Sequence, residues 1–236
     1  MAKNTILRVF IALLTTPYVA ASRLACKFGH EAFKADIERC SKAMEVISDR
    51  AKYLYPALVI AEDHRNNLHL GIDPLGIISA SLGTLFRGKR RGASTIEQQF
   101  VRVVTARYER SVRRKVREQL IAIEICRRHD KSKIAEAYLS RAFFGSQQEG
   151  AEQLEKSCST SFEDMSLSHL ILLTAQLKYP KPLIVNGEWQ QKVNDRWIHL
   201  HQVRRFEIGA MNGNATAQRL YHSAHITEQV ELRNRI

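Results

Sequence analysis

Two neighbouring carboxylates, Glu62 and Asp63, lie where a run of helical apolar spacing gives way to a loop carrying His69 and Gly71. Carboxylates in such a place either do general acid–base chemistry or simply end a solvated helix. Local stability does not favour them there, because the C-terminus of a helix carries the negative end of its dipole. Downstream, Gly92-Ala93-Ser94-Thr95-Ile96-Glu97-Gln98-Gln99 joins a small-residue turn to hydroxyls and paired amides at a helix start. That is either an ordinary N-cap or a set of N–H and hydroxyl donors for a phosphate. A third cluster, Arg113-Arg114-Lys115-Val116-Arg117-Glu118, concentrates cations beside one acid. Its Arg114–Glu118 pair at i, i+4 also has a plain reading as a surface ion pair worth roughly a few tenths of a kcal/mol.

The elements that must position these groups are helical. Apolar residues recur at helical spacing through most of the chain, with no internal repeat or low-complexity tract. The pattern predicts helices over 31–54, from Pro56 to His64, over 75–86, from Ser94 onward, and over 113–128, 131–143, 166–177 and 189–206. Pro56 is expected in the first turn of its helix, where a missing N–H is harmless. Arg87-Gly88-Lys89-Arg90-Arg91-Gly92 reads as a basic loop. Val112, Val116, Leu120 and Ile123 form one apolar stripe, while Arg114 and Glu118 share the other face with Ile121 and Ile125. That helix is expected to enter the core near Glu118 and to leave the carboxylate on the rim of a cleft. The helix over 166–177 is apolar on nearly every face and is expected to be central.

With 236 residues the chain holds one well-filled core, or a core plus an anchoring segment. Its composition, 44% hydrophobic and 25% charged with 11 glycines and five prolines, argues against disorder and against a turn-rich β sandwich. An excess of 36 Lys+Arg over 24 Asp+Glu gives a net charge of +12, which draws the protein to polyanions such as nucleic acid, anionic lipid or pyrophosphate. Cys26, Cys40, Cys126 and Cys158 lie far apart, without zinc-site spacing or a disulfide framework. Residues 9–22 carry no charge and follow Lys3 and Arg8, a membrane or secretion pattern. The run is short against the roughly 20 apolar residues of a bilayer span, and Val19-Ala20-Ala21 would serve a signal peptidase. An uncleaved anchor, a cleaved signal and a buried or amphipathic helix all stay open. The expected division is an anchor or signal over 1–30, one catalytic domain over 31–210 and a polar tail over 211–236.

Taken together and in this order, the clusters resemble the signatures of glycosyltransferase family 51, the peptidoglycan glycosyltransferases found alone or joined to penicillin-binding domains. Glu62-Asp63 with His69-Leu70-Gly71-Ile72-Asp73 resembles the first signature, Gly92 to Ile96 with Gln98-Gln99 the second, and Arg114-Lys115 with Glu118 the third. Lys133-Ile134, Glu136-Ala137-Tyr138-Leu139, Phe144-Gly145 and Gly150-Ala151 are similar to the fourth, and a blurred fifth lies in Met165 to Pro180. The likeness covers Tyr55 to Pro182, about half of the chain.

The resemblance implies a mostly α fold: a lysozyme-like helical lobe, a smaller membrane-facing lobe and an N-terminal hydrophobic anchor. It implies an inverting transferase that polymerises lipid II into glycan strands and releases polyprenyl pyrophosphate. Glu62 would be the general base, with Asp63 and Glu118 as its catalytic companions. His69, Gly92, Ser94, Thr95, Gln98, Gln99, Arg114, Lys115, Arg117 and Tyr138 would bind substrate. Mg²⁺ or Mn²⁺ would suit the carboxylate and phosphate oxygens, although the sequence contains no complete metal site. The implied partners are lipid II, the growing glycan chain, membrane lipids and cell-wall synthesis proteins, with no nucleic acid. The implied place is the bacterial cytoplasmic membrane, crossed once, with the catalytic domain on the outer side.

Four positions depart from the pattern: an aromatic is expected at Asn66, an arginine at Ser79, a small hydroxyl residue at Glu97 and an asparagine at Ser140. Asn66 is expected to leave the His69 loop mobile and the base imperfectly placed. These departures keep one rival in view, a non-catalytic relative that binds lipid-linked precursor or a cell-wall partner; a second, a glycan-cleaving enzyme on a lysozyme-like fold, stays in view because a single catalytic glutamate could serve either reaction.

Overall fold

The structure is a computed structural model that describes residues 2–87 and 92–212, with side chains described over 5–83, 85–86 and 92–202. It is mostly helical. The helices are α1 (Ala2–Phe28), α2 (Glu31–Ala43), α3 (Ala51–Glu62), α4 (Pro74–Arg87), α5 (Ile96–Thr105), α6 (Val112–Arg128), α7 (Lys131–Leu139), α8 (Gly150–Lys156), α9 (Leu167–Ala175) and α10 (Gly187–Asn212). A two-stranded antiparallel hairpin, β1 (Phe143–Gly145) and β2 (Gln148–Glu149), separates α7 from α8. Residues up to Trp197 form one compact unit; Ile198 onward forms a second, of which the described part is the end of α10. The expected basic loop at Lys89, Arg90 and Arg91, and the tail from residue 213, lie outside the described residues.

The core of the first unit is built where α3 packs on α7 and α9, and where α5 packs on α6 and α7. Leu54, Leu58, Phe100, Ile121, Ile123, Ile125, Ile134 and Ile171 are buried there. Removing each such side chain from water stabilises the fold by roughly 1.5–3 kcal/mol. α1 lies along α6, burying Ile11 and Ser22, and Ser22 Oγ donates to the Leu120 carbonyl at 2.8 Å.

Several local expectations change. The helix expected over 31–54 is interrupted between Met44 and Arg50, because tertiary partners take its backbone groups. Ser140 Oγ accepts from Ser48 N at 2.9 Å, and Arg141 Nη2 donates to the Val46 carbonyl at 2.9 Å. Consequently α3 begins at Ala51, and Pro56 sits inside it rather than in its first turn. The helix expected over 131–143 stops at Leu139, and a hairpin follows. Its turn needs Gln147 at φ 65°, a left-handed position that no Asn-Gly or Gly-Gly pair announces. On α6 the expected stripe divides: Val112 and Val116 are exposed, at 81% and 46%, whereas Ile123 is buried together with Glu118, Ile121 and Ile125 of the other face. Glu118 can be buried there because Arg102, Arg114 and Lys115 pair it.

Candidate active site

α3 ends at Glu62, and Asp63 caps it with φ −154° and ψ 66°, out of the helical region. That change of direction gives the two neighbouring carboxylates different partners. Glu62, with a fifth of its side chain exposed, accepts from Gln99 Nε2 at 3.1 Å and from Arg196 Nη2 at 3.3 Å. Tyr138 Oη donates to Gln99 Oε1 at 2.8 Å, which turns the amide so that its NH₂ faces Glu62. Burial, and then the nearby Glu62 charge, push the Tyr138 hydroxyl far above its ordinary pKa, so it stays a donor.

Asp63 is buried and turns to the start of α5. Ile96 N, at the first position of α5, donates to Asp63 Oδ2 at 3.3 Å, and His69 Nε2 lies 3.0 and 3.1 Å from the two carboxylate oxygens. An acid that ends one helix is therefore held at the positive end of another, which removes the conflict with the dipole of α3. Burial alone would raise the Asp63 pKa, but the hydrogen bond and charge of His69, with Lys131 and the Asn66 amide, hold it below its ordinary value. Gly71, at φ +79°, lets this loop lie against α6 and offers its carbonyl to Thr95 Oγ1 at 2.7 Å.

Glu118 is 3% exposed and gathers three cations. Arg102 donates to both of its oxygens at 3.1 Å, Lys115 to Oε1 at 2.7 Å, and Arg114 to Oε2. Lys115 Nζ also donates to Ser94 Oγ at 2.8 Å and Gln98 Oε1 at 2.5 Å, which uses all three of its protons. Burial would raise the Glu118 pKa, yet the hydrogen bonds from Arg102 and Lys115 bring it below normal. Burial and the neighbouring arginines lower that of Lys115 despite Glu118.

α5 joins the two carboxylate clusters. Its adjacent amides point to different centres, Gln99 to Glu62 and Gln98 to Lys115. Thr95 accepts from Gln98 N at 3.3 Å as the N-cap while donating to Gly71, and it is buried; its hydroxyl shapes the turn. Gly92 is exposed with open space around it. Arg117 is directed elsewhere: with Arg107 it pairs with Asp36 of α2, at 2.6 Å from its Nη2. Thus Glu62, Gln98, Gln99, Ser94, Arg114, Lys115, Glu118 and Tyr138 come together, joined by Arg102 and Arg196, which the sequence reading did not single out. Arg102 lies one turn after Gln98 on the same helix, a spacing that points to it. Nothing local announces Arg196.

Neither acidic cluster fits a divalent ion. At Glu118 both oxygens already face cations. Asp63, His69 and Glu97 bring ligand atoms within 4.8 Å of one another, but Asp63 is bonded to His69 and Glu97 to the Lys131 ammonium. A hard cation requires oxygens whose charge is not already compensated, so no step below is routed through a metal.

A protein-family model described as Transglycosylase matches residues 31–203. The chain belongs to the transglycosylase family. It is 36% identical over 134 residues to penicillin-binding protein 1A of Aquifex aeolicus, covering 55% of this chain and 18% of that protein. With penicillin-binding protein 1A of Vibrio cholerae it is 32% identical over 159 residues, 66% of this chain and 19% of the relative. With penicillin-binding protein 1B of Haemophilus influenzae the figures are 32% over 137 residues, 55% and 17%. The chain therefore spans about a fifth of the length of these relatives.

Proposed function

We propose that the chain is a peptidoglycan glycosyltransferase that joins lipid-linked disaccharides into glycan strands. Glu62 takes the proton from the C4 hydroxyl of the GlcNAc of incoming lipid II as that oxygen attacks C1 of the growing chain's MurNAc. The bond from C1 to the polyprenyl pyrophosphate breaks with inversion, and the pyrophosphate leaves with the electron pair. A sugar hydroxyl is a poor nucleophile until its proton is being removed, and a positioned carboxylate contributes roughly 10²–10⁴-fold.

The observation that carries this reading is that one helix, α5, ties Glu62 to a pinned cation cluster through adjacent amides. Glu118 holds Arg102, Arg114 and Lys115 against their mutual repulsion and leaves the group with an excess of positive charge. Such preorganised charge is suited to the leaving pyrophosphate. Gln99, oriented by Tyr138, and Arg196 keep the Glu62 carboxylate pointed without burying it.

The membrane reading rests on two surfaces. Thr5–Phe28 is long and apolar enough to cross a bilayer, and on α4 Ile78, Leu82, Leu85 and Phe86 are exposed at 48–76%. In the proposal α1 crosses the bacterial cytoplasmic membrane once, α4 enters its outer surface, and residues 31–210 act on that side, followed by the tail from 211.

The test is incubation of the full chain with lipid II in detergent or vesicles, with separation of the products, beside Glu62→Gln. Polymer from the wild type and at least about 10²-fold less from a folded Glu62→Gln is the expected result. Cleaved disaccharide would identify a hydrolase instead, and unchanged lipid II a binding protein.

A further inference from the structure

The fold brings together two of the positions that depart from the family's residue types. Asn66 and Glu97 are each 1% exposed, and Asn66 Nδ2 reaches Asp63 Oδ2 and Glu97 Oε1, both at 3.4 Å. Asn66 is therefore not a slack substitute for an aromatic: it is a buried link between the acid beside the candidate base and a second acid on α5.

A carboxylate buried as deeply as Glu97 is tolerated only with a partner. That partner is Lys131, the first residue of α7, whose ammonium donates to the Oε1 atom that Asn66 also contacts. Burial opposes the Lys131 charge, and Glu97, with Cys126 and Asp63, more than restores it. The charged and titratable groups around this pocket are Tyr55 from α3, Asp63 that caps it, His69 from the following loop, Glu97 from α5, Cys126 from α6, and Lys131 and Glu136 from α7. Among these, Lys131 is the permanent cation facing both Asp63 and Glu97. Glu97 is the buried acid that this cation pairs, and Asn66 links that acid to Asp63.

We propose that Lys131 is a positioning residue of the candidate active site, which through Glu97 and Asn66 fixes the Asp63 carboxylate and the turn that carries Glu62. The proposal rests on the reading of Glu62 as the base. Lys131 touches no substrate in it; the residue works by keeping a buried acid charged and an amide in place, so that Asp63 can hold both His69 and the start of α5.

The experiment uses the full chain with Lys131→Met, Lys131→Arg and the double variant Glu97→Thr/Lys131→Met. Two readouts are taken at equal folded concentration: ¹³C NMR titration of the Asp63 carboxyl, which needs no turnover, and kcat and KM for lipid II across pH. Lys131→Met is expected to raise the Asp63 midpoint by about one pH unit and to lower kcat about tenfold with KM nearly unchanged. Lys131→Arg should keep the Asp63 midpoint near that of the wild type. The double variant should unfold at a higher temperature than Lys131→Met, because it no longer buries an unpaired acid. An unmoved Asp63 midpoint in Lys131→Met, or a double variant less stable than that single one, would overturn the proposal. Stoichiometric Mn²⁺ binding to the wild type that Glu97→Thr abolishes would overturn it too, in favour of a metal at Asp63, His69 and Glu97. A wild type that makes no polymer defeats the glycosyltransferase reading instead, and the Asp63 titration still decides this one.

Discussion

Arg196 Nη2 lies 3.3 Å from Glu62 Oε1 and 2.5 Å from the carbonyl oxygen of Ala61, one guanidinium holding both the side chain of the candidate base and the end of the helix that presents it. Arg196→Met should lower kcat for lipid II by about 10–10²-fold, since misplacing a reacting group by about 1 Å has that order of effect. KM should change much less. Turnover equal to the wild type in a folded Arg196→Met would show that Gln99 alone is sufficient to orient Glu62.

The Glu118 cluster makes a prediction about pH. Because the folded-state pKa of Glu118 lies below its ordinary 4.5, its contribution to stability is present above that value and is lost as pH falls through the lower folded one. Glu118→Gln should therefore destabilise the protein by about 2 kcal/mol at neutral pH, with the gap from the wild type closing below the ordinary carboxylate pKa. Denaturant titrations of both proteins at neutral and acid pH measure it. A gap that stays constant with pH would mean that shape, not charge, is what Glu118 supplies.

Gly71 tests the loop's path. A Cβ there would stand 2.6 Å from the Ala122 carbonyl oxygen in a backbone at φ +79°. Gly71→Ala should lower stability by at least about 2 kcal/mol and should loosen Thr95, whose hydroxyl donates to the Gly71 carbonyl. A melting temperature unchanged from the wild type would show that the loop can move off α6.

At the proposed membrane surface, Leu85 and Phe86 are each 76% exposed. Leu85→Gln/Phe86→Gln, placed in a chain lacking residues 1–23, should bind anionic vesicles less than the same truncation with Leu85 and Phe86 intact. Binding by both should weaken with salt, as the Debye length falls from about 10 Å at 0.1 M to 3 Å at 1 M. Equal cosedimentation of the two proteins would remove α4 from the membrane reading.

The helical class and the end of α6 at Arg128 follow from the sequence, because they rest on local spacing and on residue type. So does the cap at the start of α5, where Thr95 accepts from Gln98 N; Glu62, Gln99, Lys115 and Glu118 are legible as a group only through the resemblance to a family. What the sequence alone misjudges depends on partners far along the chain. Met44 to Arg50 has helical spacing, but Ser140 and Arg141 take its backbone groups. Val112 and Val116 look like a core stripe, yet α6 buries the face on which Glu118 can be paired by Arg102, Arg114 and Lys115. Asn66 and Glu97 read one at a time are two losses; folded together they are linked to each other and, through Glu97 Oε1, to Lys131. Whether a polar residue can be buried depends on what stands opposite it, and that is decided only when helices separated in sequence are packed together.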